Sequence, residues 1–142
     1  MIDTNTFANL VVTEAMETVL PQVPAGEHPA YIKETKLRQQ KEWFMMDITW
    51  VMTDQESKTA TQREEPIARQ TIFLDFTPEG NLDTGKGKNI QLGRLREAVN
   101  QNQKGQPWSI GMLVGATATV NVVHEVYKDN LQAKVSSVAK AS

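Results

Sequence analysis

Apolar and polar side chains alternate along five stretches of this chain, and a period of two predicts half-buried β-strands. The clearest stretch is 43–53, where large apolar side chains hold every even position from Phe44 to Met52. The same rule predicts that Trp50 lies in a core and that Trp43 lies on the opposite, outer face. The predicted strands are 28–37, 43–53, 67–77, 116–126 and 131–138.

Two other segments have a helical period. Leu92, Leu95 and Val99 recur at i, i+3 and i+7, which places them on one face and predicts a helix over about 90–101. A looser apolar stripe over 6–20 favours an N-terminal helix that ends before the prolines at 21 and 24. The chain therefore combines mostly strands with one or two helices.

The order of these elements indicates the fold class. Three strands, one helix and two strands is the order of a five-stranded Greek-key barrel of the OB type, with its helix between strands 3 and 4. The sequence predicts this all-β fold, with residues 1–22 as a helical or flexible extension and 23–142 as the OB-fold domain. The polar segments 54–66 and 78–89 are expected to be loops.

The charge balance argues against a strongly basic nucleic-acid binder, because 15 Lys and Arg face 17 Asp and Glu. The charge is unevenly spread, however. Residues 33–41 contain four bases and one acid, residues 86–104 contain five bases and one acid, and residues 1–25 contain three acids and no base. Local basic patches can attract a polyanion at near-zero net charge, although charge runs are also typical of plain solvated surfaces.

The composition limits the chemistry further. The chain has no cysteine, which rules out disulfides and thiolate metal sites and fits a reducing cytoplasm. No apolar run approaches the ~20 residues of a membrane helix, and early acids disfavour a secretory signal. Neither histidine has partners at a zinc-binding spacing. We therefore expect no cofactor, no metal and no membrane association.

The sequence gives weak grounds for an enzyme. Residues 80–86 have the glycine–lysine spacing of a phosphate-binding loop, but Gly87 follows where that motif needs Ser or Thr to hold magnesium. Asp47 and Asp75 lie within predicted strands and could perform acid–base chemistry if they met. Lone carboxylates on strands usually face water or pair with Lys or Arg, so the expectation is a protein without catalytic activity.

Aromatic and basic side chains share the outer faces of the first three predicted strands. Tyr31, Trp43 and Phe73 occupy odd positions, and Lys33 and Arg69 lie on the same faces. Exposed rings on which bases stack, next to cations that follow the phosphates, are what single-stranded nucleic-acid binding requires. The alternative is that the tryptophan and phenylalanine pack beneath the long loops as a second small core.

Four short motifs resemble segments of phage-encoded single-stranded DNA-binding proteins. Val23–His28 resembles the entry to their first barrel strand, and Leu92–Ala98 resembles their helix. Leu113–Gly115 with the valines that follow resembles their fourth strand, and Lys134–Val138 their closing strand. The resemblance covers roughly residues 21–139.

This resemblance implies an OB barrel that coats single-stranded DNA during phage replication or recombination in the host cytoplasm. It implies single-stranded DNA as the partner, with replication or recombination proteins as further partners. One departure is the C-terminus, since 134–142 has no acid where many such proteins carry an acidic tail that recruits partners. The predicted DNA-binding residues are Tyr31, Lys33, Lys36, Arg38, Trp43, Arg69, Phe73, Lys86 and Lys88.

One alternative from another class stays open. An OB-type barrel with a near-neutral surface also suits a phage structural or accessory subunit that binds protein, and the net charge of −2 supports it. The aromatic and basic outer faces support DNA binding instead.

Overall fold

Five strands close into a barrel in the computed structural model, which describes residues 2–142. The order around the barrel is β1-β2-β3-β5-β4, and helix α2 (Ile90–Ala98) lies between β3 and β4 in the chain. The strands are β1 (Gly26–Gln40), β2 (Trp43–Met52), β3 (Ile67–Leu74), β4 (Thr117–Tyr127) and β5 (Asn130–Ala139). The prediction of an OB-type barrel with a helix at this point is confirmed.

All neighbouring strands are antiparallel except β3 and β5. These two run parallel, and they pair at one position, Arg69 opposite Lys134. The β3–β5 seam, as we call this junction, closes the barrel. It places two basic residues opposite each other.

The core follows the alternation in the sequence. Even-numbered side chains of β2 point inward, and Trp50 is wholly buried. Its indole Nε1 donates a hydrogen bond of 2.9 Å to Oε1 of Gln70, so the polar atom of the ring is satisfied inside the barrel. Leu92 and Leu95 of α2 are buried against the same core. Helix α2 therefore covers one opening of the barrel through the face that its spacing predicted.

A β-bulge in β1 interrupts the alternation. Even-numbered side chains up to Ile32 point inward, but the pairing with β2 then skips Lys33. Thr35 consequently lies opposite the buried Ile48. A bulge adds one unpaired residue and bends its strand. The bend suits a strand whose first part pairs with β4 and whose second part pairs with β2.

The bulge changes which side chains of β1 face outward. Lys36 lies opposite Asp47, and Arg38 lies opposite Met45. Both bases therefore share the outer face of β2, because paired residues of adjacent strands point to the same side. The first strand is longer at both ends than the predicted 28–37, since β1 runs from Gly26 to Gln40.

Two predictions about helices are wrong. The polar segment 54–66, predicted as a loop, contains helix α1 (Gln55–Thr61), because the Asp54 side chain caps it by accepting from the backbone N–H of Ser57. The helix expected over 6–20 is reduced to a 3₁₀ helix at Phe7–Asn9. Residues 2–21 are exposed, so no packed surface stabilises a longer helix there. Within residues 2–142, no helix has the length and apolarity to cross a membrane.

Trp50→Ala is expected to lower the free energy of unfolding by about 3–5 kcal/mol, because it leaves a cavity in a closed core and removes the partner of Gln70. Urea denaturation followed by circular dichroism measures the change. Trp43→Ala is the matched control, since that ring is 59% exposed. A larger loss for the control than for Trp50→Ala would contradict the register described for β2.

Candidate nucleic-acid interface

Two aromatic rings stand together on the outer face of β2 and β3. Trp43 is 59% exposed and Phe73 is 50% exposed. Their ring centroids are 6.0 Å apart and their planes meet at 73°, an edge-to-face contact. The alternative in which these rings form a second core beneath the loops is therefore wrong. They form an aromatic pair that is open to solvent.

A shallow apolar depression of about 420 Å³ lies at this pair. Its lining consists of both rings, Met45 and Gln40. Met45 is 6% exposed and forms the floor between Arg38 of β1 and Phe73 of β3, which are its register partners. The depression offers flat apolar surface with one amide at the rim, which suits a planar ring carrying polar edges.

An ion pair crosses the middle of this face. Nε and Nη2 of Arg38 donate hydrogen bonds of 2.7 and 3.1 Å to the two carboxylate oxygens of Asp47. The Thr71 hydroxyl donates a third, of 2.7 Å, to the same carboxylate. The hydrogen bond from Arg38 holds the pKa of Asp47 below its usual value, against the opposing effect of burial. This pairing fixes the guanidinium one row of residues from the aromatic pair.

Further bases extend along the same outer face. Lys36 lies opposite Asp47, and Arg69 of β3 lies opposite Thr49. Lys134 of β5 continues the row across the β3–β5 seam. Among residues 2–142, none of these three bases forms an ion pair with a carboxylate. Even with Glu34 opposite Thr49 in the same row, these bases leave this side of the face with a net positive charge.

Two predicted site residues lie away from the aromatic pair. Tyr31 is half-buried and opposite Val51, near the start of β1. Lys33, in the bulge, forms an ion pair of 2.5 Å with Glu65, and the hydrogen bond and charge of that carboxylate raise the pKa of Lys33. The structure therefore does not bring these two side chains together with Trp43 and Phe73.

The glycine-rich loop, residues 78–89, presents Lys86 and Lys88 to solvent. The C-terminal end of the loop is held against the end of β3, because Asn89 exchanges hydrogen bonds of 2.8–2.9 Å with Asp75. The next turn contacts the face directly, since the backbone N–H of Phe73 donates to Oε1 of Gln91 at 2.8 Å. The loop thus begins and ends beside the aromatic end of the face.

The proposed carboxylate pair does not form. Asp47 lies opposite Thr71 of β3, and Asp75 follows the end of β3 four residues further along the chain, about 13 Å away in extended backbone. Asp47 is bonded to Arg38, and Asp75 is bonded to Asn89. The hypothesis of acid–base chemistry by these two residues is therefore wrong.

A buried polar cluster that the sequence did not suggest joins the start of β1 to α1. Nε2 of His28 lies 2.7 Å from the carbonyl oxygen of Pro24, which can only accept, so Nε2 carries a proton. Nδ1 lies 3.1 Å from Asp54 and 3.2 Å from the Ser57 hydroxyl. Burial acts to raise the pKa of Asp54, but the hydrogen bonds from Ser57 and the interaction with His28 outweigh it and lower that pKa.

This cluster has the residue types of a hydrolase triad without its geometry. Ser57 and Asp54 both approach Nδ1, whereas a triad needs the serine and the carboxylate on different ring nitrogens. Ser57 is also wholly buried and cannot meet a substrate. Glu56 brings a third group of metal-ligating type to His28 and Asp54, and it is exposed. The cluster caps a helix and anchors it to the barrel, and His28 is a buried histidine at the start of β1.

No protein-family model matches the chain, and no curated protein matches it. The function is therefore inferred from the aromatic and basic side chains of the outer face.

Asp47→Asn is expected to destabilise the protein at pH 7 and to matter progressively less as the pH falls. The pKa of Asp47 is depressed in the fold, so its contribution to stability is complete above the unfolded value, about 3.9, and is lost as the pH falls through the folded value. Urea unfolding of both proteins between pH 7 and pH 2 checks this. A stability difference that stays constant over that range would contradict the role of the charge.

Proposed function

We propose that this protein binds single-stranded DNA with little regard to sequence, through the outer face of β2 and β3, and catalyses no reaction. The resemblance in the sequence supports DNA replication or recombination of a phage, in the host cytoplasm, as its setting. Replication or recombination proteins would be its further partners.

The observation that carries this proposal is the exposed pair of Trp43 and Phe73 above Met45. Single proteins seldom expose adjoining large apolar side chains, and where they do, the patch often marks a binding surface. A nucleobase fits such a surface, because each base presents a flat face whatever its identity, and stacking contributes about 1–3 kcal/mol per base. Stacking of this kind explains binding that tolerates many sequences.

The charges near the rings support a polyanionic strand. Lys36, Arg69 and Lys134 lie on the same outer face, and Lys86 and Lys88 project from the loop beside its aromatic end. Lysine and arginine contacts to phosphate position a strand without reading bases. The face of strands 2 and 3 is also where OB barrels commonly bind oligonucleotides, which agrees with the location of these groups.

The Arg38–Asp47 pair gives the face a second property. A guanidinium already held by a carboxylate retains N–H donors for a phosphate or a base edge. The carboxylate and the threonine that supports it keep those donors oriented before DNA arrives. We expect this arrangement to favour a strand that lies along the sheet rather than a rigid duplex.

Protein binding is the second candidate, and one observation favours it. The depression at the aromatic pair is lined almost wholly by apolar surface, which also suits an apolar side chain of a partner protein. The two candidates differ in their response to salt, since counterion release accompanies binding to nucleic acid.

Fluorescence titration with labelled oligonucleotides at two salt concentrations tests the proposal. Single strands should bind tightly and duplexes weakly, because stacking needs unpaired bases. Each phosphate contact to a single strand contributes about 0.7 to the log–log salt slope, so the few bases present predict a slope of about −2 to −4. Equal affinity for single strands and duplex, or no binding, would exclude the proposal. A slope near zero would favour a protein partner.

Trp43→Ala should weaken binding of single-stranded DNA by about 1–3 kcal/mol, because one stacking platform is lost. Trp43→Phe keeps a ring at the same position and should retain most of the affinity. Val114→Ala, an exposed apolar residue on another part of the surface, should leave the affinity unchanged. The same titration measures all three, and equal losses for the alanine and phenylalanine variants of Trp43 would argue against stacking.

A further inference from the structure

The N-terminal segment, residues 2–20, carries apolar side chains that the barrel does not cover. Every residue in it is exposed. Its eight large apolar side chains are between 49% and 86% exposed, a concentration that soluble chains seldom leave facing water. They are Ile2, Phe7, Leu10, Val11, Val12, Met16, Val19 and Leu20. A surface elsewhere is needed to cover them.

The charge of this segment is equally one-sided. It contains Asp3, Glu14 and Glu17 and no basic side chain. The outer face of β2 and β3 has the complementary character, with an apolar depression at Trp43 and Phe73 and basic side chains beside it. Apolar contact together with opposite charge is what a specific protein interface combines.

We propose that the N-terminal segment of one copy binds the outer face of a second copy of this chain. Its apolar side chains fill the depression above Met45, and its acids lie against the basic side chains of the face. The protein would then self-associate, and the interface would cover the rings of Trp43 and Phe73 that are exposed in the single chain.

The anchoring of the segment places its exit near the basic end of the outer face. Val23 is wholly buried, and Oε1 of Gln22 accepts a hydrogen bond of 3.2 Å from the backbone N–H of Ala133, so the segment leaves the barrel at a fixed point. Gln22 borders a small surface cavity together with Arg69 and Lys134. This exit is about four residues, or about 13 Å along β3, from Phe73.

The single chain leaves both surfaces uncovered, since the segment is exposed throughout and the depression stays open to solvent. Each copy contributes one segment and one face. Association through unlike surfaces therefore continues from copy to copy unless two copies exchange segments reciprocally. Sedimentation should accordingly show an average mass that rises with concentration, or a closed dimer.

Analytical ultracentrifugation of the full chain without DNA is the first experiment. The wild type should self-associate. Neutralising the segment with Asp3→Asn, Glu14→Gln and Glu17→Gln, or charging the face with Trp43→Glu, should raise the dissociation constant about tenfold or more. Tyr127→Ser, an exposed position at the β4–β5 turn, is the matched control and should leave it unchanged. A wild type that stays monomeric at all concentrations would overturn the inference.

A mixing experiment tests the pairing of segment with face. The variant Leu10→Ser, Val11→Ser, Val12→Ser keeps an intact face but a defective segment, and Trp43→Glu keeps an intact segment but a defective face. Each variant alone should be monomeric, and their mixture should form a 1:1 complex. Circular dichroism confirms folding, which is expected because all four positions are exposed. A mixture that stays monomeric while the wild type associates would overturn the assigned interface.

One further experiment rests on the proposed function of DNA binding. Adding a single-stranded oligonucleotide to the wild type should dissolve the assembly, because DNA and the segment compete for one face. An assembly that persists with DNA bound would overturn the shared surface. An assembly that forms in a protein without affinity for DNA would refute the proposed function and support the association, so the two failures are distinguishable.

Discussion

The bulge at Lys33 is the constraint on which the outer face depends. In a closed barrel every side chain of a strand points either into the core or out to solvent, and the alternation leaves no intermediate choice. One unpaired residue in β1 therefore exchanges the inner and outer positions for the rest of that strand. Without it, Lys36 and Arg38 would point to the opposite side of the sheet, and the outer face would lack two of its four strand bases.

The arrangement on that face follows from pairing across three strands. Arg38, Asp47 and Thr71 come from β1, β2 and β3, and their hydrogen bonds join the strands on the solvent side. Trp43, Met45 and Phe73 form an apolar group one step further along. The polar hydrogen bonds between side chains thus join the three strands next to the apolar group. Within residues 2–142, the side chains of the apolar group contribute no such hydrogen bond between strands. The two rings remain exposed in this setting while keeping their edge-to-face contact.

The sequence predicted those elements in which the spacing of apolar and polar residues distinguishes a buried face from an exposed one. Strict alternation in 43–53 predicts a half-buried strand and places Trp43 outside and Trp50 inside, as observed. The i, i+3 spacing of Leu92 and Leu95 likewise predicts α2. Helix α1 was missed because it is polar and short, although Asp54 as a cap followed by an acid in the first turn would have indicated a helix start.

The remaining features depend on contacts that are distant in the chain. No local pattern marks Lys33 as the bulged residue. The bulge changes which side chains of β1 face outward, and this change appears only when β1 is paired with β2. The ion pair between Lys33 and Glu65 also depends on a distant contact, because more than thirty residues separate the two in the chain. This ion pair holds the Lys33 side chain away from the aromatic pair. The cluster of His28, Asp54 and Ser57 joins two segments whose proximity only the closed barrel establishes.

The β3–β5 seam links closure of the barrel to its ionic surroundings. The seam sets Arg69 against Lys134, and like charges directly opposite each other repel. An anion bound between the two side chains would turn that repulsion into attraction and hold β3 and β5 together. Whatever polyanion binds this edge must therefore stabilise the closed barrel by the same free energy with which closure strengthens its binding. The junction with a single paired position is therefore the one at which a bound anion would add most to closure of the barrel.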